Sequence, residues 1–143
     1  RYSDEYPTGD KGGNAFILKN HYAAGELHAV WDNVIYQYHK NPKRPFTQDT
    51  WLTFGGLADD LIKQFKFTKS ETDTVDFASF KNESFKIAQH VYDGLTEGKD
   101  QVVPAEYIDK YGPIAKKRVA LAAQRLVFLI GDIFGDNKTE FLQ

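Results

Sequence analysis

Apolar residues along most of this chain recur at intervals of three and four, the spacing of helices that bury one face. Between Glu26 and His39, Leu27, Val30, Trp31, Val34 and Tyr38 form one apolar stripe, and His28, Asp32, Ile35 and His39 form its neighbour. Asn41-Pro42-Lys43-Arg44-Pro45 ends that helix, because neither proline suits a helix interior. Thr47 or Asp49 caps a second helix reaching to about Phe65, with Trp51, Phe54, Ala58, Leu61, Ile62 and Phe65 along the buried face. Gly55-Gly56 interrupts it and offers a place for another backbone to pack closely. Lys66 to Asp76 is polar and reads as a loop. A third helix starts at Ser79 or Asn82, buries Phe85, Ala88, Val91, Tyr92 and Leu95, and stops at Gly98. Pro104 opens a short helical turn to Ile108. The last helix runs from Pro113 to about Phe134, and Gly135 ends it. Ala115, Val119, Ala122, Leu126, Leu129, Ile130 and Ile133 give it a wide apolar face. Lys116, Lys117 and Arg118 fall near its amino end, where the helix dipole disfavours cations.

The amino-terminal stretch is patterned differently. Tyr6-Pro7-Thr8-Gly9-Asp10 and Gly12-Gly13-Asn14 are dense turn signals, and Ala15 to Leu18 reads as a short strand. His21 to Gly25 turns into the first helix. No repeat, heptad array or low-complexity segment interrupts the pattern. The expected class is all-α, in a single domain over residues 1–143.

Composition narrows what such a chain can do. A length of 143 residues, 41% hydrophobic and 27% charged, suffices for one domain with a core. The net charge of −2 offers no general attraction for nucleic acid, so any such chemistry must come from a local site. The aromatic content of 15% mostly fills cores, with a minority left to stack on ligands. With no cysteine there are no disulfides or thiolate metal sites. The absence of methionine and the start at Arg1 mark a processed chain or a piece of a longer one. No apolar run approaches the length of a membrane span. Asn82-Glu83-Ser84 and Asn137-Lys138-Thr139 are acceptor patterns for glycosylation, consistent with a secreted, cell-surface or endolysosomal glycoprotein.

The candidate chemistry lies in Leu27-His28-Ala29-Val30-Trp31-Asp32 and the turn before it. On a helix, His28 and Asp32 project from the same face, either as a hydrogen-bonded pair or as two ligands for one zinc ion. His21, His39 and His90 read as solvent-facing or core-edge residues.

The order of features carries more than the pair does. Ser3-Asp4, Asp10-Lys11-Gly12-Gly13-Asn14, a spacer, and Leu27-His28-Ala29-Val30-Trp31-Asp32 together resemble the carboxyl half of the zinc-dependent S1/P1 nucleases, the class I single-strand-specific nucleases. The resemblance continues through Phe80, Asn82-Glu83-Ser84 and Val91-Tyr92. It closes in Ala122-Ala123-Gln124-Arg125-Leu126, similar to the family's A-G-x-R-L-A helix with Ala123 in place of glycine. It implies a mostly helical fold, shared with zinc-dependent phospholipases C, and a three-zinc cluster at the bottom of a cleft. The implied activity is hydrolysis of phosphodiester bonds in single-stranded DNA and RNA, and removal of 3′-phosphates from nucleotides, by a metal-activated water. His28 and Asp32 would be two ligands of one zinc. Asn14, with the Gly12-Gly13 backbone, would shape the site and contact the scissile phosphate. Tyr22 and Tyr36 are candidates for base stacking, beside a role in filling the core or surface.

The same resemblance implies that much of the site lies elsewhere. The family's amino-terminal tryptophan, further His and Asp ligands, an earlier H-x-x-x-D helix and its cysteines have no counterpart in this sequence. The expectation is a carboxyl-terminal partial domain whose partner is the amino-terminal half of the same protein. Alone it should bind zinc weakly and turn over no substrate. A phospholipase C-like phosphodiesterase and a non-enzymatic helical interaction module are the competing expectations.

Overall fold

The first core of the molecule is built where the chain changes from turns to helix. In the computed structural model, which describes residues 1–19, 25–38 and 44–135, Phe16, Leu18, Leu27, Val30 and Ile35 are almost wholly buried. The chain divides into two compact units, one of residues 1–44 and 92–116, the other of residues 45–91 and 117–143. Among the described residues, the ordered elements are helices, and the only strand-like pairings are isolated bridges. An all-α class holds. The short strand expected over Ala15 to Leu18 is reduced to an antiparallel bridge between Ile17 and Glu26 and a parallel one between Lys19 and Val102.

Within the first unit, helix α1 spans Leu27–Asp32. It is far shorter than the stripe from Glu26 to His39 predicts. After Asn33, the residues Val34, Ile35 and Tyr36 all take positive φ, at 50°, 51° and 60°. Left-handed backbone costs a non-glycine residue about 1–2 kcal/mol, and β-branched side chains bear it worst. Burial offsets the cost: Ile35 has 0% of its surface exposed and Tyr36 8%, and enclosing a large apolar side chain is worth about 1.5–3 kcal/mol. Periodicity registers which residues are apolar, and so cannot detect a reversal of handedness that keeps them buried.

Four further corrections concern helix boundaries. Helix α2 spans Gln48–Gln64, and Thr47 caps it by accepting from the Thr50 N–H. Gly55-Gly56 does not interrupt it, and a Cβ at either position would meet only open space. The stretch read as a loop contains helix α3, Lys69–Asp73, started by a reciprocal capping box between Thr68 and Glu71. Helix α4 starts earlier than expected, at Phe77 with Asp76 as its cap, and ends at Ala88, leaving Val91, Tyr92 and Leu95 beyond it.

Helix α5 is the largest departure. It runs unbroken over Ala105–Ile133 with Pro113 inside it, although an interior proline costs about 3 kcal/mol. Tyr107, Tyr111 and Ala115, four residues apart and all buried, carry one face straight past the proline. At Gly112 a Cβ would fall 2.4 Å from the side-chain amide of Gln37, which would have to swing aside to admit it. Lys116, Lys117 and Arg118 therefore lie well inside a helix and not at a positive amino end.

The second unit buries little. No residue of α2 or α4 is buried among the described residues, and Trp51, Ile62, Phe77, Phe85, Leu126 and Ile133 are all more than half exposed. Their stripes are apolar as predicted, yet an amphipathic pattern records what a helix can bury and not what covers it. No helix of the described residues is long and apolar enough to cross a membrane.

Candidate metal centre

The Gly12-Gly13-Asn14 turn and helix α1 are one construction. Glu26, at the N-cap of α1, supplies no side-chain cap, and a helix start leaves backbone N–H groups without partners. The preceding loop provides them: Leu27 N–H donates to the Phe16 carbonyl at 3.0 Å and His28 N–H to the Gly13 carbonyl at 3.3 Å. Gly13 is buried with φ at +89°, and a Cβ there would lie 3.2 Å from the His28 nitrogen. The glycine is thus required both by backbone conformation and by contact.

One layer further in, Asp10 holds the turn. Its carboxylate is fully buried and accepts from the Gly12 N–H at 3.1 Å, from the Arg1 backbone nitrogen at 2.9 Å and from the Tyr92 hydroxyl. Burial alone would raise its pKa, but those donors, with the Gly13 N–H, hold it below the ordinary carboxylate range. Tyr92 is pushed far up by its own burial and by the carboxylate it serves. Helix α1 is fixed from its other side by Trp31, whose indole N–H donates to the Tyr107 hydroxyl at 2.9 Å and whose ring meets Tyr111 edge-on at 5.8 Å.

These supports converge on His28. Its Nδ1 lies 3.1 Å from the Gly12 carbonyl oxygen. A carbonyl can only accept, so Nδ1 carries a proton, and in the neutral ring Nε2 presents its lone pair. Nε2 in turn lies 3.4 Å from Asp32 Oδ2. Two electron-rich atoms held that close call for a positive centre, either a proton on Nε2 or a metal ion. The spacing accommodates either one: it lies within ion-pair reach, and at zinc–ligand distances of about 2.0–2.2 Å one edge of a tetrahedron measures about 3.3–3.5 Å. Both side chains are open to solvent, at 46% and 71%. A backbone carbonyl on the far nitrogen is the usual device that orients a metal-ligating histidine.

Among the described residues, no group of three His, Cys, Asp or Glu side chains comes together. By itself the pair could fill no more than two of the four positions a zinc ion takes. Asn14 is exposed, and its side-chain amide donates to the Lys11 carbonyl at 2.8 Å. The Gly12 N–H and both glycine carbonyls are engaged inside the turn by Asp10 and His28, so this backbone serves first to hold the histidine. Tyr36 is buried in the first unit's core and presents no stacking surface. His21, Tyr22 and His39 lie outside the described residues, as does the acceptor pattern at Asn137.

The turn, the histidine–aspartate helix and the later stretches match one family profile, described as S1/P1 nuclease, over residues 3–135. The chain belongs to the S1/P1 nuclease family. It is therefore a chain of nuclease-type phosphodiesterases. No match was found among curated proteins or among solved structures.

In this S1/P1 nuclease chain two of the later stretches that carry the resemblance, around Glu83 and Arg125, meet in one interaction inside the second unit. Arg125 makes a bidentate pair with Glu83, at 2.8 Å and 2.7 Å, and its Nε donates to the Glu71 carbonyl at 2.9 Å. Arg118 adds a third bond to the same carboxylate at 2.7 Å. Phe80 lies beneath the Arg125 guanidinium, 5.0 Å from ring centre to charge. A cavity of about 280 Å³ opens beside them, lined by Phe80, Ala122, Leu126 and Leu129 as well as the two arginines. Sequence reasoning missed the pairing, and it missed Asp10. A charged residue within a turn gives no sign of being buried, and the tyrosine that clasps Asp10 stands 82 positions away.

Proposed function

We propose that this chain carries part of the catalytic site of a zinc-dependent phosphodiesterase that cleaves single-stranded DNA and RNA and removes 3′-phosphates from nucleotides. One observation carries the reading: His28 Nε2 and Asp32 Oδ2 are held 3.4 Å apart, with the imidazole proton fixed on the opposite nitrogen by Gly12. A zinc ion bound there supplies Lewis-acid polarisation of a phosphoryl oxygen and an activated water near neutral pH.

The chain's own residues have three tasks. His28 and Asp32 hold the metal from one side. Gly12 and Gly13 keep the imidazole in the tautomer that ligates. Asn14, exposed beside them and tied to the Lys11 carbonyl, presents a polar side chain for the scissile phosphate. A phosphate-directed site of this kind needs no base-edge code, in keeping with single strands of any sequence and with a chain of net charge −2. Among the described residues no third ligand joins the pair, so the other positions on the metal fall to residues outside them.

The test is cleavage of a fluorescent single-stranded DNA by the full-length protein, loaded with zinc or stripped by a chelator. His28→Ala and Asp32→Ala should each cost at least about 100-fold in kcat and lower the zinc content. Wild-type rates in both variants, or activity that survives zinc removal, overturn the proposal. Phosphatidylcholine as a parallel substrate distinguishes a phospholipase, and no zinc near His28 would leave a helical interaction module.

A further inference from the structure

We propose that Asp10, clasped by the Tyr92 hydroxyl, is a positioning residue that sets the orientation and tautomer of the His28 imidazole through Gly12. Its metal readout rests on the zinc reading above; its tautomer readout does not.

The starting point is an expense that packing does not explain. Asp10 is a carboxylate with 0% of its surface exposed, on a loop where an exposed Asp would suit a turn equally well. Taking a carboxylate out of water costs several kcal/mol unless its oxygens are satisfied. Here both are, and what they hold is the turn. One oxygen takes the Gly12 N–H and the Arg1 backbone nitrogen, the backbone carbonyl of Asp10 takes the Ala15 N–H at 3.0 Å, and the other oxygen takes the Tyr92 hydroxyl. Tyr92 is itself anchored, its ring meeting Phe16 edge-on at 5.4 Å.

His28 needs that anchor. Its side chain is 46% exposed, so packing does not restrain the ring, and the Gly12 carbonyl at 3.1 Å is the contact that fixes which nitrogen bears the proton. Glycine is also the residue least able to hold its own carbonyl still. Gly12 has φ at +69° and nothing within 4 Å of where a Cβ would stand, so packing does not steady it either. Asp10 grips the Gly12 N–H, and Gly12 in turn presents its carbonyl to Nδ1. The order of transmission is Tyr92, Asp10, Gly12, His28.

The experiment uses the full-length protein, metal-free and zinc-titrated, with ¹⁵N-labelled histidine. At a pH where the imidazole is neutral, metal-free wild type should show His28 mainly as the Nδ1–H tautomer. Asp10→Ala should move it toward the Nε2–H form that an unconstrained imidazole prefers, and should weaken zinc binding roughly 10- to 100-fold, the usual effect of losing an outer-shell partner. Asp10→Asn should rescue most of both, because its amide oxygen still accepts from Gly12 and its NH₂ faces the Tyr92 oxygen. Tyr92→Phe keeps the ring against Phe16 and should give an intermediate shift. If Asp10→Ala fails to fold, Tyr92→Phe decides. An unchanged His28 tautomer and unchanged zinc Kd in the folded variants overturn the assignment while leaving the function intact. A shifted tautomer in a protein that binds no zinc supports the assignment and overturns the function.

Discussion

Replacing Glu83 with glutamine tests whether the second unit depends on one charge cluster. Arg125 has 4% of its surface exposed and directs two bonds at this carboxylate, while Arg118 directs a third. The Arg125 guanidinium, aided by Arg118 and opposed by partial burial, holds the Glu83 carboxyl at about 2 against an ordinary value of 4.5. At about 1.4 kcal/mol per pH unit, that depression corresponds to about 3 kcal/mol of folding free energy. The Glu83 side chain keeps 32% of its surface in water, so screening reduces the net value to about 2 kcal/mol. The sign follows from the direction of the shift. A carboxyl whose pKa is lowered on folding stabilises fully above its unfolded value, and the contribution is lost as pH falls through the folded one. Urea denaturation of wild type and Glu83→Gln should therefore differ by about 2 kcal/mol at pH 7, slightly more if Arg125 is left without its countercharge. The difference should shrink steadily between pH 4.5 and pH 2. Two stability curves that run parallel over that window would refute the reasoning, whatever their offset at neutral pH.

Other substitutions probe the turn and the helices. Gly13→Ala should destabilise the protein by about 2 kcal/mol and weaken zinc binding, measured by calorimetry, because the new methyl meets the His28 backbone at positive φ. Gly55→Ala should do the opposite, adding about 0.5–1 kcal/mol in urea denaturation, since that position is helical and open to solvent. Val34→Gly should raise stability by up to about 1 kcal/mol by relieving a β-branched residue at φ 50°; a loss would mean that the Val34 side chain packs for more than its strain costs. Trp31→Phe keeps an aromatic ring but loses the bond to Tyr107, and should cost about 1 kcal/mol with little effect on the His28 tautomer.

What the sequence determined by itself is local. Thr47 as a cap, the helix that follows it, and the shared face of His28 and Asp32 rest on contacts three or four residues apart, and each was legible without a fold. The Thr68–Glu71 capping box is equally local, although its polar surroundings read as a loop. The Gly12-Gly13-Asn14 turn at its distance from the histidine helix points to the family without a fold. Tertiary structure decided the rest, because burial is a property of partners distant in sequence. It ended α1 at Asp32 by rewarding the burial of Ile35 and Tyr36 in left-handed backbone. It carried α5 through Pro113 by aligning Tyr107, Tyr111 and Ala115 on one buried face. It also made Asp10, legible only as part of a turn, a buried carboxylate, since only the folded chain brings Tyr92 to it. A sequence shows which groups could satisfy one another, and the fold selects the pairs that do.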